Sequence, residues 1–210
     1  MTMCMLAGGL LNPGARIVIA GSEGARGNIP GMKVHDIEKV AKERFDGDRV
    51  AAIDALAHIK GPYAFSNMDE YVTAKLVVAW WAAALSRKLP RGMTVNAVSP
   101  GSAPSSGFGR DAPFLMRVFM LPIMKIVGPL MGMAGSIENG ARRYLDAADL
   151  GDNETGHFYA TAHRTKLVGP VGIQNWPEYF TDEAAQEAGF AAVVKLTGVG
   201  LPEASSAATA

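Results

Sequence analysis

Short apolar runs and longer stretches of helical periodicity alternate along this chain. Residues 15–20, rich in Ile and Val, follow Asn12-Pro13-Gly14, and their length and β-branching predict a buried strand. Residues 21–33 hold four glycines and one proline and read as loop. Two short helices are expected over 36–44 and 49–59, with Asp36 as N-cap and Gly47 as the break between them. The clearest helix spans 68–88: Val72, Leu76, Ala79 and Ala83 recur at helical spacing, and Pro90-Arg91-Gly92 stops it. An apolar run at 93–98 predicts a second strand, so that strand, helix and strand cross over right-handedly into a parallel sheet. A helix over 136–149, a turn at 151–156 and a third strand over 157–161 follow. Beyond residue 162, Gly, Pro and aromatic residues alternate with no clear period until an amphipathic segment at 182–196. The Ser/Ala/Thr tail, 201–210, reads as disordered. There is no internal repeat and no linker of interdomain character, which predicts one α/β domain over residues 1–200.

Composition narrows the function classes. A chain of 210 residues can bury one good core, and 49% hydrophobic with 19% charged residues suits a parallel sheet covered on both faces. Twenty basic and twenty acidic residues cancel, which argues against nucleic acid or an anionic membrane as partner. The single cysteine, Cys4, excludes an internal disulfide framework and fits a reducing, cytoplasmic setting; no nearby residue would activate it as a nucleophile. Residues 1–14 are apolar but lack the basic start of a signal peptide. The apolar stretch 114–133 is broken by Arg117, Pro122, Lys125 and Pro129, so it makes a poor membrane span. Its methionines suit a lipophilic ligand, ordinary core or an oligomer contact equally. His35, His58, His157 and His163 have no metal-ligand spacing, and no metal is expected.

Tyr71 and Lys75, four residues apart, share one helix face. An ammonium beside a phenol favours the phenolate and draws the tyrosine toward general acid/base work. On spacing alone, a packed tyrosine and a solvated lysine is the commoner reading. Ser22 stands at the end of the first strand, and Pro100-Gly101 at the end of the second. In open α/β sheets, ligands bind outside those carboxyl ends.

Taken in order, Ser22, then Tyr71-Val72-Thr73-Ala74-Lys75, then Asn96-Ala97-Val98-Ser99-Pro100-Gly101 resemble the catalytic half of a short-chain dehydrogenase/reductase. The resemblance covers residues 15–161 and is most specific over 71–101. It implies the C-terminal half of a doubly wound Rossmann-type parallel sheet, about three parallel strands with covering helices. It further implies an NAD or NADP cofactor and a small lipophilic alcohol or carbonyl substrate. In that family Ser22 would hold the substrate oxygen and Tyr71 would pass the proton. Lys75 would tune Tyr71 and bind the nicotinamide ribose. Pro100 and Gly101 would pass beside the ring, and Ser105 stands where the family often has a cofactor-binding threonine.

Three departures accompany this. No Gly-x-x-x-Gly-x-Gly motif precedes Ser22, and the family's Asn-Asn-Ala-Gly segment and its helix asparagine are absent. Forty-nine positions separate Ser22 from Tyr71, far more than the family uses, so residues 27–61 read as a helical insertion near the mouth of the site. Residues 102–135 fall where the family places its substrate-covering region. The chain is therefore expected to represent an N-terminally truncated domain. Cofactor binding would be weakened or lost, and an open sheet edge would be covered by another copy or a partner. Two functions follow: an oxidoreductase that carries the catalytic half, or an inactive remnant that acts as an interaction subunit. A third, membrane association through residues 114–133, is the weakest.

Overall fold

The computed structural model describes residues 9–59, 65–103, 126–128 and 130–201. Strands β1 (Arg16–Ala20), β2 (Thr94–Val98), β3 (Phe158–Thr161) and β4 (Val171–Ile173) lie in that order in one open sheet. β1, β2 and β3 are parallel, and β4 returns antiparallel beside β3. Helices with both ends among the described residues are α1 (Ile37–Arg44), α2 (Arg49–Ala57), α3 (Asn67–Ser86), α4 (Ile137–Ala148) and α5 (Glu183–Thr197). The fold is thus a mixed α/β one with a mostly parallel sheet, and each strand and helix expected from periodicity is present within a few residues of its expected bounds.

Alternation along the strands sends neighbouring side chains to opposite faces. Ile17, Val95, Ala97, Phe158 and Ala160 join one apolar cluster with α3 and α5. On the other face, Val98 and Tyr159 pack with Ala147, and Val18 and Tyr144 join them, so α4 covers that side. Two apolar faces need two covers, and a three-layer arrangement results.

The long helix α3 is enclosed on most of its circumference. Ser66 caps it by accepting from the Asp69 N–H, and Asp69 and Glu70 complement the positive end of its dipole. Val72, Leu76, Ala79 and Ala83 are all buried, and so are both Trp80 and Trp81. The Trp80 indole donates to the Tyr179 carbonyl at 2.7 Å. α5 comes so close that a Cβ on Gly189 would lie 2.9 Å from the Trp80 Cβ.

Two features go beyond expectation. The helical excursion built from α1 and α2 packs into the domain: Ile37, Val40, Ala52, Ile53 and Leu56 belong to the main core. Asp36 and Asp48 start these two helices by accepting from Lys39 N–H and from Val50 and Ala51 N–H. The second is β4, which periodicity misses because three residues with Val171 and Ile173 exposed carry no readable alternation. Pairing with β3 defines it instead.

β1 pairs only with β2 and forms one margin of the sheet among the described residues. Among these residues, no helix is long and apolar enough to cross a membrane. Ser105, most of the expected substrate-covering region (104–125) and the tail from 202 lie outside the described residues.

Candidate active site at the carboxyl ends of the strands

Three parallel strands bring the ends of β1, β2 and β3 to one edge of the sheet. At the end of β1 the peptide after Ala20 turns its N–H, on Gly21, to the Val98 carbonyl at 2.7 Å. A planar trans peptide then points the Ala20 carbonyl the other way, to the open margin. Lys75 fills that position: its Nζ donates to the Ala20 oxygen at 2.8 Å. The same ammonium lies 5.8 Å from the centroid of the Tyr71 ring. Burial lowers the pKa of Lys75. One turn of helix thus places Tyr71 beside Lys75, and Lys75 against the end of β1.

Ser22 sits just past β1 as the N-cap of a 3-10 turn, Glu23–Arg26. Its hydroxyl oxygen accepts from the Gly24 N–H at 3.2 Å, a loop-capping role, and its own O–H is left to donate. The loop rests directly on α3, because a Cβ at Gly24 would be 2.5 Å from Val72 Cγ1. Ser22 and Tyr71 are therefore carried on two segments in contact. From the far side α4 contributes Tyr144. Burial first, then the neighbouring Tyr71 phenol and the Glu23 carboxylate, raise its pKa, while Arg143 opposes.

Pro100 and Gly101 follow β2 as a tight turn. Gly101 has φ +80°, and a Cβ there would lie 2.7 Å from the Leu167 carbonyl oxygen and 3.1 Å from Arg143. Only glycine fits. α4 closes on the same turn, with the Gly140 Cβ position 3.0 Å from the Pro100 oxygen. Asn96 serves the sheet instead. Its amide donates to the Glu154 carbonyl and accepts from the His157 N–H, which ties β2 to the turn before β3.

Beneath these groups lies a buried polar cluster that periodicity and motif spacing do not reveal. Glu23 Oε1 accepts from Arg143 at 3.0 Å, and from the Thr161 N–H and hydroxyl at 3.1 and 3.0 Å. The Ser99 hydroxyl donates to its other oxygen. Arg143 also reaches the carbonyls of Ser99 and Gly169. Residues this far apart in sequence give no periodic signal. A glutamate beside a candidate serine and an arginine in an otherwise amphipathic helix are the only hints the sequence holds.

A dinucleotide is held at its phosphates by free main-chain N–H groups at a helix start. After β1 those groups are engaged internally: Glu23 N–H to the Ser99 hydroxyl, Gly24 N–H to Ser22, and Ala25 N–H to the Ser22 carbonyl. Every helix start described carries a carboxylate in its cap or first turn: Asp36, Asp48, Asp69, Glu138 and Asp182. Among the described residues the phosphate half of NAD or NADP therefore has no fitting cradle. No metal-binding group of three or more His, Cys, Asp or Glu occurs among the described residues.

Neither a family model nor a curated protein matches this chain. What fold and site define together is an α/β protein with a tyrosine–lysine pair and a serine at the carboxyl edge of a mostly parallel sheet.

Proposed function

We propose that this edge is the proton-transfer site of an oxidoreductase of the short-chain dehydrogenase type, on a Rossmann-like half-domain, acting on a lipophilic alcohol or carbonyl. The observation that carries the reading is Lys75 anchored on the end of β1 with the Tyr71 ring beside its ammonium, on a helix that the Ser22 loop rests against. Tyr71 moves the proton at the substrate oxygen. The Ser22 O–H donates to that oxygen and fixes it. Lys75, anchored on the Ala20 carbonyl, keeps a positive charge beside the Tyr71 ring and has further N–H donors for a sugar hydroxyl. A nicotinamide dinucleotide would supply hydride exchange. Its phosphates would have to be held by groups beyond the described residues or by a partner. A cytoplasmic setting belongs to the same proposal.

A second reading has its own support. Among the described residues, carboxylates at the helix starts and the one-sided pairing of β1 favour an interaction subunit that has no reaction of its own.

Titration of NADH and NADPH into the 210-residue chain, followed by nicotinamide fluorescence, separates the two. Saturable binding that weakens in Tyr71→Phe or Lys75→Ala supports the oxidoreductase. A folded sample that binds neither dinucleotide overturns it and leaves the interaction subunit.

A further inference from the structure

A cavity of about 590 Å³ opens between the loop that leads into α1, the middle of α3 and the segment before α5. None of Ser22, Tyr71, Lys75, Pro100 or Gly101 lines it. Its volume falls inside the range of about 300–1,000 Å³ usual for small-molecule sites. Val34, Leu76, Trp80, Trp176, Pro177 and Tyr179 form its apolar wall. Two of those rings are fixed by their polar tips: Trp80 donates to the Tyr179 carbonyl and the Tyr179 hydroxyl to the Ala25 carbonyl, both at 2.7 Å. They meet edge to face at 6.4 Å. A preset aromatic wall of this kind favours a flat apolar body.

The polar groups around it sort into engaged and unengaged. Asp36 caps α1, Glu38 accepts from Arg49 at 2.6 Å, and Asp182 caps α5 and faces Arg49 at 3.5 Å. The three carboxylates and Arg49 thus satisfy one another or the backbone. Arg26 does not reach that state. It is 2% exposed, its Nη atoms donate to the carbonyls of Thr161, His163 and Lys166, and its Nε has no hydrogen-bond partner. Lys33 adds an exposed ammonium at the same cavity. Asn28 lines it too, with its Oδ1 buried and unpartnered while its amide donates to the Arg164 carbonyl. A buried donor without an acceptor is costly, and an arginine is the side chain best suited to a carboxylate. Three wall carboxylates would repel a dianion such as phosphate, so a single negative charge fits better.

We propose that this cavity binds a small aromatic carboxylic acid, with its ring on the Trp80, Tyr179 and Trp176 wall and its carboxylate toward Arg26 and Lys33. The site is independent of the Tyr71 reading and stands whether or not the chain catalyses a reaction.

The test is calorimetric titration of 2-naphthoate into the 210-residue chain, with naphthalene-2-carboxamide as the uncharged comparator. Naphthoate is expected to bind saturably with one site per chain, and the carboxamide about tenfold more weakly. Val34→Trp, which adds bulk to the wall without altering Arg26, should weaken naphthoate by about tenfold or more. Lys33→Gln, a surface change that leaves the fold alone, should narrow the preference for the acid over the amide. Tyr71→Phe should leave all of this unchanged. The proposal is overturned if naphthoate gives no saturable heat, if acid and amide bind equally, or if a folded Val34→Trp binds naphthoate as the parent does. Should Val34→Trp fail to fold, Lys33→Gln decides: an unaltered acid preference counts against the site.

Discussion

Glu23 and Arg143 lie 120 positions apart in sequence and meet at 3.0 Å, with side chains only 4% and 8% exposed. The pair joins the turn after β1 to α4. Through Ser99 and Thr161 it also ties in the ends of β2 and β3. A buried ion pair gains stability only when its remaining hydrogen-bonding capacity is met, and this carboxylate is met on both oxygens.

Removing one partner should therefore be severe. Arg143→Met is expected to cost about 3–5 kcal/mol, because it leaves an uncompensated buried carboxylate. Urea unfolding measures this. The double variant Glu23→Gln, Arg143→Met should lose less than the two single losses combined. Strict additivity would show that the two side chains do not act as a pair.

Gly101 makes a second test, with a built-in control. Gly101→Ala meets both a left-handed backbone, φ +80°, and the Leu167 oxygen; Gly31, φ +78°, has open space around its Cβ position. Gly31→Ala should cost about 1 kcal/mol, and Gly101→Ala clearly more, from about 1–3 kcal/mol of backbone strain plus the clash. Thermal melts should show this as an extra fall of about 2–4 °C per kcal/mol. Equal shifts would mean that the close approach at Gly101 has no energetic weight.

Lys75 predicts a pH dependence. Burial holds its folded pKa below the ordinary 10.5, so between those two values the unfolded chain keeps a proton that the folded chain has lost. Stability from this group consequently rises with pH across that window. Competitive acetylation read by mass spectrometry should give Lys75 a labelling midpoint below 10.5. A midpoint at or above that value contradicts the burial argument.

If the edge of the sheet catalyses proton transfer, the two tyrosines there should behave differently. Tyr71→Phe should lower kcat on a lipophilic ketone by about 100- to 10,000-fold with the melting curve unchanged. Tyr144→Phe should matter far less, since burial keeps that phenol protonated. Equal losses in both variants would remove the special role of Tyr71.

Much of the architecture is legible in the sequence because it rests on local signals. Apolar runs and β-branching mark β1 to β3, helical spacing marks α3, and Asp36 marks the start of α1 as its N-cap; the caps Ser66, Ser136 and Asp182 and the left-handed Gly198 emerge only in the structure. The neighbourhood of Tyr71 and Lys75 is legible from four-residue spacing. Glu23, Ser99, Arg143 and Thr161 are not, since only folding brings them together. The packing of α1 and α2 into the core is equally hidden: an insertion read from spacing carries no information on which surface it covers. β4 is too short and too exposed to have a period.

The close approaches at Gly21, Gly24, Gly101 and Gly140 have a consequence for descent. A Cβ at each of the four would come within 3.0 Å of a neighbour, so packing penalises a side chain there whether or not any reaction takes place. In a lineage that has abandoned turnover, the glycines and the Glu23–Arg143 pair should persist. Tyr71 and Lys75, half-buried and not crowded in this way, should be the first to drift.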